Sequence, residues 1–348
     1  MSAGKGVNLA EAMLAGRDNF LPLRHFAALL VIYGHGYSLT THAPEQKDWV
    51  ARLMPGFYAG SLAVYFFFAI SGYLVTSGLL RKPGLWRYAR NRFLRVYPAY
   101  LTCLLVTVFL LGPVFTTISP WLYFHDSQTW GYLSTNLSPI KLAWRLPGVF
   151  ANNPYPDVVN GTLWSLGLEV RWYAYLALLA ACGIVRRRWA FTLVALAFLA
   201  FACWEWWLGK PDPLSFRSLS MVFMGSALVA HWKHRLWVNH STLILLLLVS
   251  AIAHSSIWFA LLAIFTTGYA TFWFAYVLPA LPWAGDRDYS YGLFLYGFPV
   301  QQCILALFPA ITPLPLFVLA VAVALCLAGA SWHFVENPVL AFKRRAAS

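Results

Sequence analysis

The sequence predicts an all-α fold, a polytopic membrane helical bundle of about ten transmembrane helices with both termini cytoplasmic. Of its 348 residues, 60% are hydrophobic and only 11% are charged, whereas roughly a quarter of the residues in a soluble domain are charged. Many apolar runs reach the ~20 residues that a helix needs to cross a bilayer. The excess of apolar residues therefore belongs in lipid, and no stretch is left for a sizeable soluble domain.

The predicted spans follow one another through most of the chain. They lie near residues 20–41, 57–80, 96–118, 163–185, 189–208, 216–232, 238–254, 257–279, 289–308 and 314–335. Only His254-Ser255-Ser256 divides the seventh from the eighth, so nine spans is the alternative. We expect one membrane-embedded domain over residues 1–348, with cytoplasmic tails at 1–19 and 336–348 and a long extracytoplasmic loop at 119–162.

The basic residues predict the orientation. With the N-terminus inside, 18 of the 25 lysines and arginines fall on the cytoplasmic side and six fall outside, which is the bias that membrane proteins show. The net charge of +13 is then explained by this bias and by contact with anionic lipid head groups. We therefore expect the lipid bilayer as a partner and no nucleic acid.

The first span holds two ionisable residues, Arg24 and His35. Eleven helical steps return to nearly the same face and separate the two residues by about 16 Å, which is close to the reach of an extended pantetheine arm from pyrophosphate to thiol. One interpretation is a phosphate-binding arginine at the cytoplasmic end and a base near a thioester. The alternative is an arginine that reaches the head groups and a core histidine bonded to a neighbour.

Two more arginines, Arg92 and Arg95, lie one helical turn apart where the third span begins. Guanidinium groups at this spacing can converge, and they bind phosphate oxygens in bidentate geometry. The alternative is a topology signal with head-group contact, which accounts well for Arg81 and Lys82.

A carboxylate, Glu169, lies about six residues inside the outer end of the fourth span. His35 lies about six residues inside its own span, so both are expected about 9 Å below the outer surface. A carboxylate in hydrogen-bond range would orient the imidazole and stabilise its protonated form. The alternative is an ion pair between helices, although Arg171 is too near in sequence to face Glu169 on one helix.

The sequence predicts neither a metal site nor a permanently bound cofactor. No histidine pair has metal-ligand spacing with a carboxylate or a cysteine, and no glycine-rich phosphate loop is present. The five cysteines form no CxxC pair and indicate no disulfide framework.

Several motifs, in order, closely resemble the acyltransferase-3 family of membrane O-acyltransferases. They are Arg24-x10-His35, Phe66-Phe67-Phe68-Ala69-Ile70-Ser71-Gly72-Tyr73-Leu74, Arg92-x-x-Arg95 with Tyr97-Pro98-Ala99-Tyr100, Asn160-Gly161-Thr162-Leu163-Trp164-Ser165-Leu166 with Glu169, Tyr289-Ser290-Tyr291-Gly292-Leu293-Phe294-Leu295-Tyr296, and Phe334-Val335-Glu336-Asn337-Pro338. The resemblance covers nearly the whole chain. We expect Ser71-Gly72 to allow close helix packing rather than to supply a nucleophile.

The resemblance implies transfer of an acyl group, usually acetyl, from cytoplasmic acyl-CoA to a hydroxyl of an extracytoplasmic or lipid-linked glycan. It implies His35 as the catalytic base and Arg24, Arg92 and Arg95 as residues that hold the CoA, and we expect Glu169 to orient His35. Acetyl-CoA is then a donor substrate, and proteins of polysaccharide assembly are further expected partners. The expected location is the cell inner membrane.

The sequence departs from the family pattern at two points. Gly297 stands where many members have a histidine, and Arg171 stands where the family is often polar and uncharged. We also expect a stand-alone form without the fused esterase-like domain found in some members. Two other classes remain as alternatives: a proton-coupled transporter or lipid-linked sugar translocase, which also uses buried ionisable residues, and a structural scaffold or sensor. The transporter is disfavoured because no internal repeat is visible.

Overall fold

A computed structural model describes residues 6–16, 18–40, 47–209, 212–281 and 287–345, and most of them are helical. The helices are α1 (Leu9–Leu14), α2 (Phe20–Thr40), α3 (Trp49–Leu53), α4 (Ala59–Arg81), α5 (Leu85–Val106), α6 (Gly112–Phe115), α7 (Pro120–His125), α8 (Ser127–Asn136), α9 (Leu163–Ala181), α10 (Arg188–Leu208), α11 (Phe216–Trp232), α12 (His240–Ile252), α13 (Phe259–Tyr276), α14 (Ser290–Leu307), α15 (Pro313–Ser331) and α16 (Asn337–Arg345). Two π-helical turns, Thr107–Leu111 and Trp332–Glu336, continue α5 and α15. Strand β1 (Val7–Asn8) pairs with β2 (Trp237–Val238) in antiparallel register.

The all-α prediction is confirmed, and each predicted span coincides with a helix. In the described part of the chain, five helical segments are long and apolar enough to cross a membrane: Ala59–Arg81, Leu85–Phe115, Arg188–Leu208, Phe259–Tyr276 and Pro313–Ala341. The count of ten spans and the orientation of the termini stay predictions. One boundary differs, because α5 begins at Leu85, whereas the third span was predicted to begin near residue 96.

The chain divides into two compact units. The first comprises Met1–Ala27, Trp49–Tyr88 and Ala174–Asp286. In it α4 packs against α11, and a Cβ on Gly72 would lie 2.3 Å from the carbonyl oxygen of Phe223. The backbones therefore meet only because residue 72 has no side chain, which confirms the packing role expected for this glycine.

The second unit comprises Ala28–Asp48, Ala89–Tyr173 and Arg287–Ser348. The expected loop at 119–162 is part of it and is folded, since it contains α7 and α8. Its buried side chains pack with the end of α5 in one apolar cluster: Leu104, Val108, Tyr123, Tyr132, Leu146, Val149, Phe150 and Val159. This segment is therefore a structured element of the second unit.

Candidate active site

A proline inside α14 explains the Asn160-Gly161-Thr162 motif. Pro299 has no N–H, so the carbonyl of Leu295 lacks its helical donor, and Asn160 Nδ2 donates to that carbonyl at 2.9 Å. Asn160 Oδ1 accepts from the N–H and the hydroxyl of Thr162, at 3.2 and 2.7 Å. The Asn160 side chain thus satisfies a backbone carbonyl of α14 and also fixes the backbone immediately before α9.

Gly161 brings α9 close to an aromatic ring of α14. A Cβ at this position would lie 2.5 Å from Cε2 of Phe298, so a larger residue would force the Phe298 ring to move. The motif therefore positions both Phe298 and the helix that carries Glu169.

His35 lies in α2 and is buried, with 8% of its surface exposed. Its imidazole meets the ring of Phe298 edge to face, with centroids 5.2 Å apart and an interplanar angle of 81°. Arg24 lies on the same continuous helix, close to its start, and is half-buried. The helical span that links Arg24 to His35 is therefore present as expected.

The family's histidine position holds Gly297, and the structure shows what this glycine does. A Cβ there would lie 2.6 Å from Cγ1 of Ile32. Helices α2 and α14 thus approach closely one turn before His35. Gly297, which stands where many members have a histidine, therefore allows α2 and α14 to pack closely.

Arg95 is held by two carboxylates that the sequence interpretation did not assign. Its guanidinium lies 2.5 Å from Asp288 Oδ2 and 3.5 Å from Glu336 Oε2, and the side chain of Glu336 is only 3% exposed. The guanidinium also lies over the ring of Tyr291, 5.6 Å from its centroid. Two of the five N–H donors of Arg95 therefore bind carboxylates of the protein, and its positive charge is balanced by them.

Both carboxylates are held by their own elements. Asp288 Oδ1 accepts from the N–H of Ser290, the first residue of α14, at 3.3 Å. Glu336 closes the π-helical turn after α15, and its Oε1 accepts from Ser331 Oγ at 3.2 Å. Asp288 and Glu336 therefore bring the start of α14 and the end of α15 to Arg95.

Arg92 has different surroundings. Its guanidinium lies over the ring of Tyr173, 5.5 Å from the centroid, and Tyr173 donates its hydroxyl proton to Glu169 Oε1 at 2.5 Å. Among the described residues, no carboxylate lies within ion-pair distance of Arg92. Its N–H donors are therefore more available to an anionic ligand than those of Arg95.

The structure thus connects Arg92 to Glu169 through Tyr173, whereas Arg95 contacts Asp288 and Glu336. The convergence of the two guanidiniums on one phosphate stays a prediction. The expected hydrogen bond between His35 and Glu169 stays a prediction. A sequence signal for Asp288 and Glu336 did exist. Both flank apolar spans on the side predicted for Arg92 and Arg95, in a chain with only 12 acidic residues.

Comparisons with known proteins identify the family to which the chain belongs. A family model described as an acyltransferase domain matches residues 23–333. An O-acetyl transferase of Shigella phage Sf6 is 26% identical over 328 residues, covering 91% of this chain and 94% of the relative. Nodulation protein 10 of Rhizobium leguminosarum bv. viciae is 25% identical over 365 residues, covering 93% of each chain. No solved structure matches.

Helical segments long and apolar enough to cross a bilayer, with a buried histidine and two arginines in the same chain, are typical of a membrane protein that carries a functional site. The family match spans most of the chain, including every predicted site residue. The chain belongs to the acyltransferase-3 family, and the protein is a membrane acyltransferase.

Proposed function

We propose that the protein transfers an acetyl group from cytoplasmic acetyl-CoA to a hydroxyl of an extracytoplasmic or lipid-linked glycan. The observation that carries this proposal is the family match over residues 23–333, which contains a buried histidine and the arginine sites. The name of the Sf6 relative, O-acetyl transferase, supports acetyl as the group and oxygen as the acceptor atom. The glycan acceptor follows from the family resemblance.

In this reaction the acceptor oxygen attacks the thioester carbonyl while His35 takes the hydroxyl proton. A C–O bond forms, the C–S bond breaks, and CoA leaves as a thiolate that receives the proton from the imidazolium. General-base catalysis of this kind contributes typically about 10²–10⁴-fold to the rate. Glu169 is proposed to stabilise the imidazolium, and its hydrogen bond with Tyr173 holds the carboxylate in place.

Three arginines, Arg24, Arg92 and Arg95, are proposed to hold the phosphates of CoA. The contacts of the last two suggest different contributions. Arg92 lies over the Tyr173 ring, and none of its N–H groups forms an ion pair with a carboxylate of the described residues. The charge of Arg95, in contrast, is neutralised by Asp288 and Glu336. We therefore assign Arg92 a direct phosphate contact and Arg95 a weaker one.

The proposed setting is a multi-pass protein of the cell inner membrane with about ten spans and both termini in the cytoplasm. The donor then reaches Arg24 from the cytoplasm, and the acceptor reaches His35 from the opposite side. Proteins that assemble or export the polysaccharide are proposed partners, because they would deliver the acceptor to this face.

The test is binding and transfer of radiolabelled acetyl-CoA by the purified protein in detergent and in membranes. We expect the wild type to bind, Arg92→Ala to bind about tenfold or more weakly through loss of a charge-assisted contact, and His35→Ala to bind normally. Label transfer to glycan should fall by about 10²–10⁴-fold in His35→Ala. Arg217→Ala is the matched control, since Arg217 pairs with Glu205 at the protein surface.

A folded wild type that shows no interaction with acetyl-CoA would contradict the proposal. A proton-coupled carrier or a sugar translocase would then be the better interpretation, since neither binds nor consumes acetyl-CoA.

A further inference from the structure

Two neighbouring glutamines on α14 are both fully buried but differ in their hydrogen bonds. Gln302 Nε2 donates to the carbonyls of Tyr155 and Val158, each at 2.8 Å, and its Oε1 accepts from Asn153 Nδ2 at 2.8 Å. Gln302 is thus saturated by the segment before α9. Gln302 thus shows how a fully hydrogen-bonded glutamine is held on this helix, and Gln301 can be compared with it.

Gln301 is satisfied at only one end. Its Nε2 donates to the carbonyl of Ile32 at 2.8 Å, whereas its Oε1 is buried and has no donor among the described residues. The bond to Ile32 fixes the orientation of the amide group, so Oε1 cannot simply exchange places with Nε2. A fixed carbonyl oxygen without a donor is costly to bury, and a ligand that brings a donor would remove that cost.

Gln301 belongs to the part of α14 that packs against α2 next to His35. Ile32 lies one turn before His35, and a Cβ on Gly36 would lie 3.5 Å from Gln301 Nε2. Phe298, one turn before Gln301 on α14, meets the imidazole of His35. Gln301 and His35 therefore lie at the same level of the packed pair of α2 and α14.

The proposed donor substrate carries the complementary groups. The pantetheine arm of acyl-CoA contains two secondary amides, and each N–H loses its water partners when the arm enters the protein. The amide nearest the thioester is separated from the sulfur by a two-carbon link. A thioester beside His35 thus brings this N–H into the same region as Gln301.

We propose that Gln301 Oε1 accepts a hydrogen bond from the pantetheine amide nearest the thioester and so positions the thioester carbonyl beside His35. This inference rests on the proposed function. The other source of a donor is a hydroxyl of the acyl acceptor, and the ligands used in the test separate the two.

The experiment measures the affinities of acetyl-CoA, CoA and adenosine 3′,5′-bisphosphate for the full-length protein in detergent by titration calorimetry. We expect Gln301→Met, which keeps the side-chain volume, to weaken acetyl-CoA and CoA by about 5- to 100-fold, because the amide N–H is then buried without an acceptor. The affinity for adenosine 3′,5′-bisphosphate, which has no pantetheine, should not change. The matched control Gln302→Met should leave all three affinities within about twofold and lower only the thermal midpoint.

A second measurement needs no variant and protects the test against a misfolded Gln301→Met protein. An acetyl-CoA analogue with an ester in place of the amide nearest the thioester lacks the N–H, and we expect the wild type to bind it about 5- to 100-fold more weakly than acetyl-CoA. Equal binding of the analogue and acetyl-CoA would overturn the proposal.

The remaining outcomes are also decisive. Unchanged acetyl-CoA affinity in folded Gln301→Met would overturn the proposal. If the radiolabel assay then shows that this variant has lost acetyl transfer, the hydrogen-bond donor to Gln301 is a hydroxyl of the acceptor instead. A wild type that binds no acetyl-CoA would instead refute the proposed function, since every variant would then behave alike.

Discussion

The two compact units bury polar side chains in different ways. In the first, Asn19 Nδ2 donates to the carbonyls of Phe274 and Pro279, and His231 contacts the carbonyls of Ala227 and Val185 through its two ring nitrogens. These side chains satisfy the backbone of the helices and loops around them. They therefore fix local structure.

The second unit also places side chains of opposite charge together and buries a histidine against a phenylalanine ring. Arg95 is shared by Asp288 and Glu336, and His35 lies against Phe298. Buried charges are expensive and contribute little net stability even when paired, so their concentration in one unit indicates a functional demand. The comparison predicts that substitutions in the two units destabilise the protein for different physical reasons.

The largest effect on stability is expected from Arg95→Ala. Removing the cation shared by Asp288 and Glu336 leaves two carboxylates in a buried setting, which costs about 3–5 kcal/mol of the free energy of unfolding. Arg92→Ala loses mainly its contact with the Tyr173 ring, worth about 0.5–2 kcal/mol. The measurement is unfolding of the purified protein by sodium dodecyl sulfate in mixed micelles.

The control for Arg95 removes the carboxylates as well. The triple variant Arg95→Met, Asp288→Asn and Glu336→Gln should recover most of the lost stability, because no uncompensated charge remains. Equal stability losses for Arg95→Ala and Arg92→Ala would show that the ion pairs of Arg95 with Asp288 and Glu336 do not make its contribution to stability larger than that of Arg92.

In the first unit, the expected effect comes from packing and not from charge. Gly72→Ala places a Cβ 2.3 Å from the backbone oxygen of Phe223. Backbone atoms cannot relieve such a clash by changing rotamer, as a side chain can. We expect a loss of about 1–3 kcal/mol. Gly78→Ala on the same helix meets no atom within 4 Å and should cost nothing, or stabilise by up to about 1 kcal/mol. Thermal midpoints of the two variants in one detergent provide the measurement; similar midpoints would refute close backbone contact at Gly72.

The sequence predicted the helices well because apolar runs of membrane length are a strong local signal. It also identified Arg92, Arg95 and Glu169 as unusual, since charges near apolar spans stand out in so hydrophobic a chain. It could not pair Arg95 with Asp288 and Glu336, which lie 193 and 241 positions away. Such pairing depends on how helices pack and leaves no local pattern.

The same limit applies to α14. Pro299 was visible in the sequence, but its missing N–H did not reveal that Asn160, 135 positions from Leu295, supplies the donor. The one-sided hydrogen bonding of Gln301 depends on the packing of α2 against α14 and was equally hidden. The sequence therefore indicated which residues are chemically unusual, whereas the hydrogen-bond partner of each polar group could be identified only from the folded structure.

The smallest expected effect concerns the surface ion pair of the first unit. Arg217 Nε lies 3.0 Å from Glu205 Oε2, but both side chains are more than one-third exposed, at 36% and 39%. Water screens such a pair and the side chains lose entropy when they pair, so Arg217→Ala should change the free energy of unfolding by less than about 1 kcal/mol. The difference between wild type and variant should shrink further as salt is raised from low to physiological concentration. A salt-insensitive loss as large as that of Arg95→Ala would mean that exposure does not separate the two ion pairs, and the contrast between the units would then need another physical cause.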